Sequence, residues 1–135
     1  MMKLIHGEIE PNIGIGELKI GEGKEQILKL CSSSFKLWER GDGFSTYTFE
    51  NFKLWFDVDG KLQQIGVTKG FLDGYNNVHI GDTLSDVKKI YDKYDEDGDV
   101  YLIPGVDGIC FELEDVDDWN ELTAPIEWIY VYKAF

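Results

Sequence analysis

The sequence predicts an α+β domain in which helices cover one face of an antiparallel sheet. Apolar residues alternate with polar ones over several short segments, FKLWF at 52–56 being the clearest, as expected of strands with one buried face. Two other segments carry apolar residues at helical spacing. These two segments, LKIGEGKEQILKL at 18–30 and VHIGDTLSDVKKI at 78–90, match at an offset of 60 residues. The match favours two pseudo-repeats, about 13–70 and 78–135, within one domain of residues 1–135.

The first predicted helix covers roughly residues 24–32. It places Ile27, Leu28 and Cys31 on one side, and the serine run 32–34 then predicts a loop. The glycines at 14–23 are expected to form tight turns ahead of this helix.

The second predicted helix has a stronger start signal. Asp82 or Thr83 can cap it, and Asp86 lies three residues after Thr83, as in a capping box. Leu84, Val87 and Tyr91 then share one face, and we expect the helix to end before Asp95.

Strand-like segments follow each helix in the same order. The first half offers 45–49 and a hairpin over 52–68 whose turn is Val58 to Lys61, and the second half offers 100–103, 108–114 and 126–133. Each half therefore reads as one helix followed by about three antiparallel strands.

Alternation divides the strand residues between two faces. The apolar set is expected to face the helices: Phe52, Leu54, Phe56, Ile65, Val67, Ile109, Phe111, Leu113, Ile129 and Val131. The opposite set is aromatic and acidic: Trp55, Glu112, Glu114, Trp128, Tyr130 and Tyr132. Exposed aromatic residues there would indicate a contact surface. A curled sheet that buries these rings in a second small core is the alternative.

The charge balance argues against nucleic-acid binding. The chain has 26 acidic and 13 basic residues, a net charge of −13, which is the wrong sign for contacting phosphates. No stretch is long and apolar enough to predict a membrane span. The beginning, MMKLIHGEIEPN, has no apolar region or cleavage site typical of a secretory signal, so we expect a cytoplasmic protein with no membrane partner.

Motifs for cofactors and metals fail on spacing, so we expect neither. The third glycine of a dinucleotide-binding loop would fall on Lys19, and Glu25 stands where a phosphate loop needs Ser or Thr. The DEDGD segment at 95–99 resembles a calcium loop, but its twelfth position would be Pro104. Two cysteines and two isolated histidines give no zinc signature, and we expect both thiols to be reduced.

No catalytic constellation is evident either. Neither histidine has a neighbour that indicates activation, and the serine run lacks a nucleophile-elbow pattern. We therefore expect a protein that is not an enzyme. A hydrolase using two strand carboxylates stays open, because distances between strands are not visible in a sequence.

Acids concentrate in the second half, with five in residues 92–99 and six in residues 112–121. Acids next to aromatic residues are typical of a surface that binds a partner rich in Lys and Arg. The predicted partner-binding residues are Trp55, Glu112, Glu114, Asp115, Asp117, Asp118, Trp119, Trp128, Tyr130 and Tyr132. The alternative is an ordinary solvated face.

Several segments together resemble a known class of proteins. PNIGIGELKIG, the helix start IGDTLSDVKKIY and the strands GICFELED and PIEWIYVY are similar to those of small acidic immunity proteins of bacterial polymorphic-toxin and contact-dependent growth-inhibition systems. The tandem helix-plus-sheet plan is also similar to the β-lactamase inhibitor protein fold.

The resemblance implies a protein that binds a cognate toxin domain in the cytoplasm and occludes its active site or substrate surface. Many such toxins are nucleases, and a basic nuclease would complement the acidic charge. The alternative from a different class is a module that binds a small ligand or peptide through the aromatic sheet face.

Overall fold

The computed structural model describes residues 4–31 and 34–134, which form two helices, one large sheet and one small sheet. The helices are α1 (Lys24–Leu30) and α2 (Leu84–Tyr91). The small sheet consists of β1 (Ile9–Glu10), β2 (Gly14–Ile15) and β3 (Leu18–Lys19). The large sheet consists of β4 (Lys36–Glu39), β5 (Ser45–Thr48), β6 (Phe52–Phe56), β7 (Leu62–Val67), β8 (Asp95–Asp97), β9 (Val100–Leu102), β10 (Ile109–Leu113) and β11 (Ile126–Tyr132). The α+β prediction is confirmed.

The large sheet has the order β4-β5-β6-β7-β11-β10-β9-β8, and every neighbouring pair is antiparallel. Each half of the chain contributes four adjacent strands. The last strands of the two halves, β7 and β11, pair at the centre, with Ile65 opposite Val131 and Val67 opposite Ile129.

The prediction of about three strands per half was one strand short in each half. The unpredicted strands are the two edges, β4 and β8. The sequence of β8 is Asp-Glu-Asp, which has low strand propensity and predicts a loop. Pairing with β9, where Glu96 lies opposite Tyr101, overrides that propensity.

The core lies between the helices and one face of the large sheet. The apolar set predicted for this face is buried, except that Leu113 is half-buried. The helices add Ile27, Leu84 and Val87 to the same cluster of buried side chains. Each fully buried Phe or Leu stabilises the fold by about 1.5–3 kcal/mol, so this layer is the main source of stability.

The predicted capping box of α2 is confirmed. The amide of Asp86 donates to Thr83 Oγ1 at 3.3 Å, and the amide of Thr83 donates to Asp86 Oδ2 at 2.9 Å. The backbone bond from Thr83, followed by a bond that the Thr83 hydroxyl donates to Asp86 Oδ2 at 3.0 Å, lowers the pKa of Asp86 below its ordinary value. The helix ends at Tyr91, before Asp95 as predicted.

Helix α1 begins without a side-chain cap and depends on tertiary contacts. The amide of Lys24 donates to the carbonyl of Gly60 at 2.8 Å, in the turn of the β6–β7 hairpin. The hairpin was predicted with the correct turn. The helix ends at Leu30, short of the predicted residue 32, and within the expected loop Ser32 and Ser33 lie outside the described residues.

The glycine-rich segment before α1 makes turns, as predicted, but also the three short strands β1, β2 and β3, which were not predicted. Gly16 has φ of 58° in the turn between β2 and β3, a conformation that favours glycine. Asn12 ties the segment to the large sheet, since its side chain accepts from the amide of Ala134 at 2.8 Å and donates to the carbonyl of Asp107 at 3.0 Å.

Both cysteines, Cys31 and Cys110, are buried free thiols, as expected. Burial raises the pKa of Cys31 to about 11.

Candidate interaction surface

The face of the large sheet opposite the helices, here called the open face, carries four of the predicted aromatic residues. Trp55 lies on β6, and Trp128, Tyr130 and Tyr132 lie on β11. All four side chains are half-buried. The open face is therefore neither a fully exposed aromatic surface nor a second core closed by a curled sheet. The rings cover part of one another, and the rest of each ring is exposed to solvent.

The rings pack in a fixed arrangement. Trp128 and Tyr130 stack with ring centroids 5.9 Å apart and planes 7° apart. Trp55 meets Tyr130 in an edge contact at 5.8 Å and 69°. The Lys53 Nζ atom lies 4.8 Å from the centre of the Trp128 ring, in cation–π range. A surface held in this way loses little side-chain entropy when a partner binds.

Gly66 makes room for this arrangement. It lies opposite Tyr130 on β11 and opposite Lys53 on β6. A Cβ atom at this position would be 2.9 Å from Tyr130 Cδ1 and Cε1 and 3.2 Å from Trp55 Cζ3. The ring of Tyr130 therefore lies across the glycine and fills the space where a side chain would stand.

Glu112 on β10 joins the aromatic residues, as predicted. It pairs with Trp128 in the strand register, and its Oε1 accepts a hydrogen bond from the Tyr130 hydroxyl at 2.5 Å. Burial, followed by this bond and the charge of Glu112, raises the pKa of Tyr130 above its ordinary value. Tyr130 therefore stays a neutral donor, and Glu112 is fixed in position beside the rings.

A groove of about 460 Å³ crosses the open face beside these residues. Trp55, Tyr130, Tyr132 and Glu112 line it, together with Gln64, Asp97, Val100, Leu102 and Cys110. Burial raises the pKa of the Cys110 thiol to about 12, with further contributions from the charges of Glu112 and Asp97. Aromatic walls with two carboxylates are suited to a Lys or Arg side chain, which gains both cation–π and ionic contacts.

The acids of the loop between β10 and β11 lie elsewhere. Glu121 in this loop accepts hydrogen bonds from the hydroxyls of Tyr94 and Tyr101, and the amide of Ser85 on α2 donates to the carbonyl of Leu122 at 3.3 Å. Tyr101 is buried on the helix side of the sheet. The loop therefore packs towards the helices.

The predicted partner-binding residues thus fall into two groups. Trp55, Glu112, Trp128, Tyr130 and Tyr132 are brought together on the open face. The remaining residues, Glu114, Asp115, Asp117, Asp118 and Trp119, are exposed in the loop from β10 to β11. Trp119 is 48% exposed and lies with these acids rather than with the other rings.

Sequence reasoning missed several residues of the open face, among them Trp38 and Asp97. Trp38 on β4 lies opposite Thr46, which in turn lies opposite Trp55, so it extends the aromatic row to the sheet edge. The segment KLWE has polar, apolar, apolar and polar residues in that order, so no alternation indicated this strand. Asp97 was noted only as one of the acids in residues 92–99; it reaches the groove because β8 is a strand, which its acidic sequence does not predict.

Among the described residues no group of three or more His, Cys, Asp or Glu side chains could hold a metal ion. Within the same residues, neither helix has the length and apolar composition needed to span a membrane.

Comparison with known proteins gives a likeness in fold. No family model matches the chain, and no curated protein matches it significantly by sequence. The chain is similar to the crystal structure of the uncharacterized protein yfeY from Escherichia coli, with a TM-score of 0.65 and 16% sequence identity. The match covers 93% of this chain and 99% of that chain, so the likeness extends over nearly the whole of both proteins.

Proposed function

We propose that this protein is a non-catalytic immunity protein that binds a cognate bacterial toxin domain in the cytoplasm and occludes its active site or substrate surface. The observation that carries the proposal is the groove on the open face, where Trp55, Tyr130 and Tyr132 stand beside the carboxylates of Glu112 and Asp97. Such a groove accepts a Lys or Arg side chain of a basic partner.

The arrangement of the open face supports tight binding. Aromatic side chains contribute most to affinity when they are held in place and largely desolvated, and the Trp55, Trp128 and Tyr130 rings already support one another. Glu112 is already hydrogen-bonded before binding. The free-energy cost of removing water from its carboxylate when it pairs with a cation is therefore lower.

The net charge of −13 suits a basic toxin, for which a nuclease is the most direct candidate. A nuclease presents a positive surface to phosphates, and an acidic inhibitor can occupy that surface instead of nucleic acid. In this proposal Asp117 and Asp118, in the loop from β10 to β11, attract the toxin over a distance of about one Debye length, roughly 8 Å at physiological salt. They act on the association rate rather than in the groove.

The test is co-expression of the tagged chain with the product of the neighbouring upstream gene, followed by purification across a salt series. The proposal expects a complex that forms tightly at low salt, weakens as salt rises and abolishes the neighbour's toxicity. No complex and no toxicity to relieve would refute the immunity function.

Two matched pairs of variants then locate the interface. Trp128→Ala on the open face should weaken binding at least tenfold, whereas Trp119→Ala in the loop should change it much less, since hot-spot residues lie in the packed centre of an interface. Glu112→Gln keeps an acceptor for Tyr130 but removes the charge, and it should accelerate dissociation. The double variant Asp117→Lys with Asp118→Lys should slow association and flatten its salt dependence. Equal effects of the two Trp variants would contradict a site on the open face.

The volume of the groove favours a second candidate function. About 460 Å³ falls in the range of sites that hold small molecules, so the open face could instead bind a small ligand or peptide. Calorimetric titration with short peptides that contain Arg or Lys distinguishes the two functions. Binding that saturates with a peptide, is insensitive to salt and needs no toxin would favour the ligand-binding module.

We also infer that the two halves of the chain arose by duplication. Gly21 and Gly81, 60 residues apart, have φ of 91° and 92°. Their amides donate to the carbonyls of Leu62 and Ile126, which begin the two central strands, at 2.8 and 2.9 Å. Helices α1 and α2 also begin 60 residues apart. Superposition of residues 13–70 on residues 78–135 tests the duplication. It should align Gly21 with Gly81 and β7 with β11 at the same time, and failure to do so would reject the duplication.

A further inference from the structure

The large sheet has two edges of very different character. The edge strand β8 consists of three acids, Asp95, Glu96 and Asp97, and all three are exposed. Charges of one sign along an edge prevent it from pairing with another copy of itself. The other edge strand, β4, contains Lys36, Leu37, Trp38 and Glu39, which are also exposed, and it has no such excess of one charge.

Strand β4 exposes more apolar surface than an edge strand normally does. Trp38 is 63% exposed and Leu37 is 45% exposed, and Phe35 directly before the strand is exposed as well. Among residues 4–31 and 34–134 no strand pairs with β4 on the side away from β5. A hydrophobic edge with free backbone groups is a template for a further strand.

The free backbone groups can be assigned from the turn that follows. The amide of Arg40 donates to the carbonyl of Phe44 at 2.8 Å, so this pair is hydrogen-bonded across β4 and β5. Hydrogen-bonded and non-hydrogen-bonded pairs alternate along an antiparallel ladder. The amides and carbonyls of Leu37 and Glu39 therefore point away from β5, towards the free edge.

We propose that two copies of this chain pair through their β4 strands, with Leu37 opposite Leu37 of the second copy. Antiparallel pairing of identical strands places the two-fold axis perpendicular to the sheet, so opposite residues must point to the same side. In this register Leu37 donates to and accepts from its counterpart. Lys36 lies opposite Trp38 of the second copy on the open face, where the ammonium and the indole form a cation–π contact.

Charge selects this register over its neighbour. Centring the pair on Trp38 would place Lys36 opposite Arg40 of the second copy, and like charges directly opposite each other are destabilising. The pairing also keeps the acids apart, because β8 lies at the far edge of each sheet. The two open faces then form one continuous surface that can hold two partner molecules.

The test is sedimentation equilibrium of the full chain from micromolar to millimolar concentration at low and high salt. The mass should rise from 15.5 kDa towards twice that value, and more readily at high salt, because salt screens the repulsion between two chains of charge −13. Leu37→Lys should remain a monomer, since it places two ammonium groups opposite each other. Leu72→Lys, at a still more exposed leucine that lies outside every strand, should dimerise like the unaltered chain.

Cysteine variants test the register. Oxidised Leu37→Cys should form a disulfide-linked dimer, because opposite residues in such a pair are about 5.5 Å apart between Cα atoms, within disulfide range. Glu39→Cys should not, since residue 39 lies four positions from its own counterpart. The native thiols are buried and provide a low background.

The proposal would be overturned by a monomer at every concentration, by a dimer that survives Leu37→Lys, or by cross-linking through Glu39→Cys in place of Leu37→Cys. Uptake of an extended toxin segment at β4 in place of a second copy would also overturn it. Toxin binding is measured separately with monomeric Leu37→Lys. If that variant still neutralises the toxin, failure of the dimer leaves the proposed function intact.

Discussion

Replacing Gly66 with alanine should destabilise the protein, although alanine is normally the better residue in an ordered strand. The added Cβ would lie 2.9 Å from two atoms of the Tyr130 ring and 3.2 Å from Trp55. The Tyr130 ring cannot simply move away, because it stacks on Trp128 and its hydroxyl is bonded to Glu112. Overpacking of this kind costs about 1–3 kcal/mol.

The cost should depend on Tyr130. In a Tyr130→Thr background the ring is gone, threonine suits a strand, and Gly66→Ala should be neutral or stabilising by about 0.5–1 kcal/mol, since alanine loses less backbone entropy on folding. The double-mutant cycle should therefore give a coupling free energy of about 2 kcal/mol between positions 66 and 130.

Urea unfolding of the four proteins, followed by tryptophan fluorescence, measures this coupling. Gly41→Ala is the matched control, because a Cβ at Gly41 would meet no atom within 4 Å, and it should change the free energy of unfolding little. If Gly66→Ala is harmless in the unaltered chain, or costs the same with and without the Tyr130 ring, the packing described for the open face is wrong.

Four further predictions concern the cap of α2 and the shifted pKa values. Thr83→Ala should lower the free energy of unfolding by about 1 kcal/mol, measured in urea, because it removes the cap of α2. The lowered pKa of Asp86 stabilises the fold above the unfolded-state pKa of its carboxyl and is lost as pH falls through the folded-state pKa, so Asp86→Asn should flatten the acid limb of a stability–pH curve. The hydrogen bond to Glu121, followed by burial, raises the pKa of Tyr94 to about 12. The stability that this shift contributes is complete below the unfolded-state pKa of about 10 and is lost as pH rises towards 12. Tyr94→Phe should therefore remove a late step from the absorbance titration of the tyrosines. Cys31 and Cys110, with pKa values of about 11 and 12, should react with a thiol reagent at neutral pH only upon unfolding, and fast labelling of the native protein would contradict their burial.

Local chemistry accounts for what the sequence predicted well. The Thr83 and Asp86 spacing specified the start of α2, and the turn before Lys61 specified the β6–β7 hairpin. Period-2 alternation correctly assigned Trp55, Glu112 and Tyr130 to the face away from the core. Each of these features depends on residues a few positions apart, so each can be read without knowing the rest of the chain.

The candidate site was only half predictable for the same reason. Its aromatic residues belong to strands with clear alternation. The acidic loop was placed with them because Asp117 and Asp118 follow Glu112 closely in sequence. In the folded protein the contacts of Glu121 with Tyr94 and Tyr101 draw that loop to the helix side, and such contacts leave no periodic signal.

The sequence by itself determined the class of the fold, the two helix positions and the side of the sheet on which each central-strand residue lies, because these follow from periodicity and capping between near neighbours. Only the tertiary structure decided the strand order, which joins β7 to β11 across about 60 residues, and with it the groove that brings Asp97 and Glu112 to Trp55. Strand pairing is selected by the apolar surface that the whole sheet buries. That surface depends on strands far apart in sequence, which only the folded chain brings together.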